Sequence, residues 1–179
     1  MLFRLDALLL QLHLCLQEYI FLVQLLIGIL KLNTQLIKLG HIILCEGNVD
    51  VVALHQAGFD NAVASLGTSL TPEQARLISR YVNEGVIAYD GDTAGQKATA
   101  KAIDFLKGQG VSVRVLQMQG AKDPDELIQK DPKLWQDAVD HSIPAVDWLL
   151  NKYEENLNLN SAPDKRKYSD VALKLLSYI

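Results

Sequence analysis

Two cysteines, Cys15 and Cys45, are all that the 179 residues contain. They lie far apart with no CxxC pattern, so neither a disulfide framework nor a structural zinc site is supported, and a reducing, cytoplasmic setting is the default reading. An excess of basic charge is missing too. Seventeen Lys and Arg against 21 Asp and Glu leave a net charge of -4, which argues against a generally basic nucleic-acid surface and makes any phosphate binding local. Long uninterrupted apolar runs are also absent. The stretch "YIFLVQLLIGIL" falls short of the roughly 20 residues a membrane span requires, and extending it backward brings in Gln11, His13, Gln17 and Glu18. No membrane span is therefore expected. Asp6 near the start and the lack of a small-residue cleavage pattern speak against a secretory leader. GxSxG, HExxH and GxxxxGK[ST] do not occur, so the common motif-bearing routes to hydrolysis and nucleotide binding are not those used here.

What is present divides near Gly40. Residues 1–40 are crowded with leucine, whereas residue 41 onward has an ordinary globular composition. The leader is read either as a helix packed on the domain or as a segment not native to the rest of the chain. From residue 41 the periodicity places elements in turn. "HIILC" has the length and branched apolar content of a buried strand. "VDVVALHQAG" has helical spacing, with Gly58 as the stop. "NAVASLG" reads as a short strand. "TPEQARLISRYV" opens with Thr71 as N-cap, Pro72 at the first helical position and Glu73 in the first turn. "GVIAYDGD" reads as a third strand ending in acids, "AGQKATAKAIDFLKGQG" as a helix closed by glycine, and "VSVRVLQM" as an alternating strand. Residues beyond these read as helices broken near Pro132, Pro144 and Pro163. Alternating strands and helices predict an α/β fold with a mostly parallel sheet.

In such sheets ligands bind beyond the carboxyl ends of the strands. Three acidic groups fall there: Glu46 with Asp50, Asp90 with Asp92, and Asp123 with Asp125 and Glu126. If the third strand continues through Asp90 and Asp92, both point to one face, and Glu46 and Asp50 are about one helical turn apart. Carboxylates gathered in this way repel one another unless cations relieve them. Mg²⁺ prefers oxygen ligands and commonly takes one or two carboxylates together with substrate phosphates; two ions roughly 4 Å apart would suit phosphoryl displacement. Taken singly, "DGD" is more often a solvated turn and "DPDE" a good helix start. Their coincidence at successive strand ends is what favours a metal site. Lys97 and Lys101, at helical spacing after the DGD loop, are a solvated face or, on the sharper reading, reach a phosphate. His55 and His141 are read as structural or surface residues, and Trp135 and Trp148 as helix anchors.

The segments "EGNVDVVALHQAGFDNAVASLGTSLT", "RYVNEGVIAYDGDTAGQKATAKAI" and "KDPDELI" together resemble the Toprim part of the bacterial DnaG-type DNA primases, over roughly residues 41–150. A glutamate at one strand end and a DxD at another mark the Toprim family; "GTSLT", "DGDTAGQKA" and "DPDEL" point to primases within it. The resemblance implies a Toprim-like, mostly parallel sheet flanked by helices, with a helical C-terminal extension. It divides the chain into a leader (1–40), a Toprim domain (41–143) and the start of a helical bundle (144–179). It implies that Glu46, Asp50, Asp90, Asp92, Asp123 and Asp125 bind Mg²⁺ or Mn²⁺, with general acid/base work on Glu46 and no zinc in this segment. The implied reaction is synthesis of a short RNA primer on single-stranded DNA from ribonucleoside triphosphates, in the cytoplasm. A replicative helicase would be met only through a region absent here.

Two features depart from the family. Asn48 and Val49 stand where primases usually have an aromatic and a thioether. Residues 1–40 resemble neither the zinc-binding domain nor the basic half of the polymerase core, so the expectation is a fragment, incomplete as an isolated chain. The alternative is a free-standing Toprim nuclease or nucleotide-binding module. "GTSLTPEQARLISRY" serves no metal and favours the primase. A topoisomerase reading is weaker: no separate tyrosine domain is present, and Tyr89 is expected to pack at its strand end.

Overall fold

The computed structural model describes residues 39–65, 69–118, 120–155 and 157–176. Expectations for residues 1–38, and for the part of "GTSLT" at positions 67 and 68, lie outside the described residues. Strand β1 is His41–Cys45 and is buried from Ile42 onward, as a strand flanked on both faces must be. It is followed by helix α1 (Asn48–Gln56), strand β2 (Ala62–Ala64), helix α2 (Pro72–Ile78) and strand β3 (Glu84–Ala88). Then come helix α3 (Thr93–Lys107), strand β4 (Ser112–Val115), and helices α4 (Pro124–Lys130) and α5 (Pro132–Asp140). Strand β5 (Ile143–Pro144) precedes helices α6 (Ala145–Glu154) and α7 (Ala162–Leu176).

The strands form one sheet in the order β2-β1-β3-β4-β5. The first four are parallel, with Leu44 opposite Val63, Cys45 opposite Ala88, and Ile87 opposite Val115. Because side chains alternate across a strand, two cores result. Ile42, Leu44, Ile87 and Val113 pack with Ala75 of α2, Ile103 of α3 and Trp148 of α6. Ile43, Cys45, Val86 and Ala88 pack on the other face with Leu54 of α1, Leu127 of α4 and Trp135 of α5. Both tryptophans thus anchor helices, as the sequence suggested.

Helix starts follow the expected chemistry. Thr71 Oγ1 accepts the Gln74 N–H at 3.3 Å while the Thr71 N–H donates to Gln74 Oε1 at 2.9 Å, a complete capping box ahead of Pro72. The helix ends sooner than "TPEQARLISRYV" suggests. It stops at Ile78 because Val82 must turn into the core before β3 begins.

Two other differences concern strands. β3 ends at Ala88, so Asp90 and Asp92 are not placed by strand alternation. Asp92 instead takes extended backbone angles as the N-cap of α3. β5, which the sequence reading did not foresee, pairs antiparallel with β4, Val115 opposite Ile143. It tolerates Pro144 because an edge strand has no outer neighbour to receive an N–H. The Arg114 guanidinium holds it, donating from Nε to Ser142 Oγ at 2.9 Å and from its terminal nitrogen to the Ser142 carbonyl. Among the described residues, no helix is long and apolar enough to cross a membrane.

Candidate metal centre

β1 connects through α1 to β2 on one side of it, whereas the chain returns through α2 to β3 on the other side. The reversal of direction between β1 and β3 is the position at which doubly wound sheets bind ligands. Glu46 is the first residue after β1, and Asp90 is the second residue after β3. The Asp90 N–H donates to Glu46 Oε1 at 3.2 Å, joining the two strand ends across the crevice.

The remaining acids enter from helix starts. Asp50, in the first turn of α1, is 9% exposed and accepts the Gly47 N–H on Oδ2 at 3.2 Å. Asp92 caps α3, accepting the Gly95 N–H on Oδ1 at 2.7 Å. Asp123 caps α4, accepting the Glu126 N–H on Oδ1 at 2.8 Å, and Asp125 in the same first turn accepts from Gln129 Nε2 at 2.8 Å. Among the described residues no helix or strand lies between Val115 and Pro124, and α4 is brought to the site by packing on α1. Asp92 and Asp123 therefore do serve as helix caps. Capping occupies one carboxylate oxygen and leaves the second.

Electrostatics ties the six acids into one group. Burial, then repulsion from Asp90, raises the Glu46 carboxyl above its ordinary range; the Asp90 N–H opposes this, while Asp92 and Asp50 add to it. Asp50 is raised by burial and by Asp123 and Asp125, against the pull of the Gly47 and Asp125 N–H groups. Asp90 is raised by burial, then by Asp50, Asp123 and Asp92. Lys122, which the sequence reading passed over, partly offsets the charge on Asp90 and lies with its Nζ 3.9 Å from Asp123 Oδ2.

This donor set suits one kind of ion. Among the described residues, no three His, Cys, Asp or Glu side chains converge closely enough to chelate a metal unaided. Hard oxygen donors offered in ones and twos beside an open edge fit Mg²⁺ or Mn²⁺, which keep waters and share substrate phosphates.

Other candidates separate from the centre. Lys97 and Lys101 are exposed on α3 and make no hydrogen bond or ion pair with another described side chain. His55 Nε2 lies 2.9 Å from the Ala62 carbonyl, tying α1 to β2, and His141 Nδ1 lies 2.7 Å from the Asp137 carbonyl at the end of α5. Tyr89 is 5% exposed and packs in the core. Its hydroxyl lies near Ser65 without a well-formed hydrogen bond among the described residues, and burial pushes it up to about 12. That is the wrong direction for a nucleophile. The Cys45 thiol is pushed up by burial, then by Asp50 and Asp90, and is inert beneath the site. Asp90 also borders a cleft of about 170 Å³ formed with Gln96, Thr99, Gln117 and Trp148, smaller than the roughly 300 Å³ at which small-molecule sites begin.

Gly95 is the other residue that the sequence reading missed. A Cβ on it would lie 2.2 Å from the Asp90 carbonyl oxygen and 2.7 Å from Glu46 Oε1. A glycine inside a predicted helix, at a cost of about 1 kcal/mol against alanine, was the available clue.

Comparison with known proteins agrees with this geometry. The family described as Toprim-like matches residues 43–128. The DNA primase of Clostridium acetobutylicum is 41% identical over 128 residues, covering 71% of this chain and 22% of that protein. A DNA primase domain from Pseudomonas aeruginosa superposes with a TM-score of 0.72 at 27% identity, covering 85% of this chain and 49% of that one. A DnaG primase catalytic domain bound to single-stranded DNA superposes with a TM-score of 0.68 at 31% identity, covering 78% and 45%. The chain spans about a quarter of the length of the curated relatives it matches. Sheet order and relatives together show that the chain carries a Toprim domain like that of the bacterial DnaG-type DNA primases, of which it spans a fragment.

Proposed function

We propose that this chain supplies the metal-binding catalytic part of a primase reaction. In that reaction a ribonucleotide 3'-hydroxyl attacks the α-phosphate of an incoming ribonucleoside triphosphate on a single-stranded DNA template, and pyrophosphate leaves. The observation that carries the reading is the junction of Glu46 and Asp90 by one hydrogen bond at the reversal point of the sheet, with Asp92 at the start of the next helix. Support also comes from the similar DNA primases and from the similar DnaG primase catalytic domain bound to single-stranded DNA.

Glu46, Asp50, Asp90, Asp92, Asp123 and Asp125 are assigned as the groups that hold Mg²⁺ or Mn²⁺. When bound, the ions would neutralise charge developing on the phosphate oxygens. Glu46 is suited to a second task. Standing beside Asp90 at the reversal point of the sheet, it is assigned to take the proton of the attacking hydroxyl. Lys97 and Lys101 project from α3 into solvent and are assigned to phosphate oxygens of the substrate. Residues 41–143 are assigned as the Toprim unit and 144–179 as the start of a helical subdomain, acting in the cytoplasm.

The test is primer synthesis on single-stranded DNA with ribonucleotides and Mg²⁺ or Mn²⁺, run beside a nuclease assay. Metal-dependent RNA products that disappear in Glu46→Gln are expected. Cleavage of nucleic acid that depends on Glu46, with no synthesis, would replace the primase reading by a nuclease. Metal uptake with neither product would show that the acidic edge does not suffice for turnover by itself.

A further inference from the structure

Gly95 is the third residue of α3, a helical position where glycine is disfavoured because it has the most backbone freedom to lose. Backbone conformation does not require it, since positive φ among the described glycines is confined to Gly40, Gly58, Gly110 and Gly120. Space does. A Cβ there would meet the Asp90 carbonyl oxygen at 2.2 Å and Glu46 Oε1 at 2.7 Å, both far inside van der Waals contact. At Gly91, in the same loop, nothing lies within 4 Å of the corresponding point. The Glu46 oxygen concerned also accepts the Asp90 N–H, and the Gly95 N–H donates to Asp92. Glu46, Asp90 and Asp92 thus all meet around one α-carbon.

We propose that Gly95 is a positioning residue for the acidic edge: its missing side chain lets the first turn of α3 close on Asp90 and fixes where the Glu46 carboxylate stands. A side chain at 95 must displace the Asp90 backbone, the Glu46 carboxylate or the helix start. The carbonyl is part of the backbone and has no rotamer to move into, so the displacement reaches the carboxylates. This inference rests on the metal-binding reading above.

The experiment is a calorimetric Mn²⁺ titration of the wild-type chain, Gly91→Ala, Gly95→Ala, Glu46→Gln and the double variant Glu46→Gln with Gly95→Ala. Gly91→Ala should match wild type, and Gly95→Ala should bind about tenfold more weakly, the usual loss when a metal ligand's support is disturbed. In the double variant, Gly95→Ala should add less than it costs alone, because the part of its effect that misplaces the Glu46 charge is already lost. Wild-type affinity in Gly95→Ala, or fold-losses that multiply independently, would overturn the proposal. A wild-type chain that takes up no Mn²⁺ would refute the metal reading instead. Gly95 is then judged by urea midpoints, as it is if Gly95→Ala fails to fold. Destabilisation that shrinks, or folding that returns, when Glu46→Ala removes the carboxylate supports the contact; an unchanged defect overturns it.

Discussion

On the proposed reading the two carboxylate oxygens of Asp92 have different uses, and substitutions can separate them. Oδ1 caps α3 through the Gly95 N–H, a neutral task that asparagine performs as well as aspartate. Metal binding needs the charge. Asp92→Asn should therefore leave the metal-free urea midpoint within a few tenths of a kcal/mol of wild type while weakening Mn²⁺ binding. Asp92→Ala should lose about 1 kcal/mol of stability in addition. An Asp92→Asn variant that binds Mn²⁺ like wild type would remove Asp92 from the set of ligands.

Asp90 is a site of stored repulsion. Its carboxyl titrates above the ordinary 3.8 because of burial and of Asp50, Asp123 and Asp92. The folded chain consequently binds a proton there more tightly than the unfolded chain, and this group lowers stability as pH rises. The penalty is absent below pH 3.8, grows as pH passes the folded-state value, and is complete above it. Metal-free Asp90→Asn should accordingly melt above wild type at pH 7, with the difference closing as pH falls toward 3.8. Added Mg²⁺ should reverse the order. Equal melting of the two metal-free proteins at pH 7 would contradict the crowding described for this edge.

At the scale of elements, helix starts were the most legible feature. Thr71-Pro72, Asp123-Pro124 and Asp131-Pro132 each join a capping side chain to a proline at the first helical position, and each opens a helix. All of that chemistry is local. Strand ends were less legible, because what terminates β3 is not in its own sequence. The N–H of Asp90 turns to Glu46, 44 positions away, and alternation within "GVIAYDGD" carries no trace of that partner. β5 escaped notice for the same reason: two residues including a proline hold no strand pattern, and Arg114 lies 28 positions from the Ser142 that anchors it. The need for glycine at position 95 likewise arises only when α3 meets β1.

The tryptophans illustrate the reverse case, in which a bland expectation held. Trp135 is fully buried, meets Phe59 edge-on at 6.1 Å, and fastens α5 to the sheet face carrying α1 and α4. Trp135→Ala should cost about 3–5 kcal/mol, the usual loss for a large aromatic in a core. Trp135→Phe should cost less, since the buried indole N–H has no hydrogen-bond partner among the described residues to lose. Urea denaturation of both variants checks the order; equal losses would mean that the indole N–H contributes as much as the ring.

Across the whole molecule, a modest net charge of -4 conceals a concentrated one. Six carboxylates, placed just after β1, in the first turn of α1, in the β3–α3 loop and at the start of α4, act electrostatically on one another, and Lys122 partly offsets the charge on Asp90. Sequence periodicity was enough to place these acids after strands or at helix starts. The reversal between β1 and β3 could be seen only in the strand order, and it explains why Glu46 and Asp90 become neighbours. The fold holds these groups together at a cost that a divalent ion would relieve.

The most direct measurement is a pair of thermal melts, with and without Mg²⁺ or Mn²⁺, on the wild-type chain and on the double variant Asp90→Asn with Asp92→Asn. An ion present at 100 times its dissociation constant stabilises a folded chain by about 2.7 kcal/mol, a rise of several degrees at this size. A metal-dependent rise in wild type that vanishes in the double variant is the predicted result. A well-folded wild-type chain whose melting is indifferent to both ions would contradict the claim that this acidic edge is a metal centre.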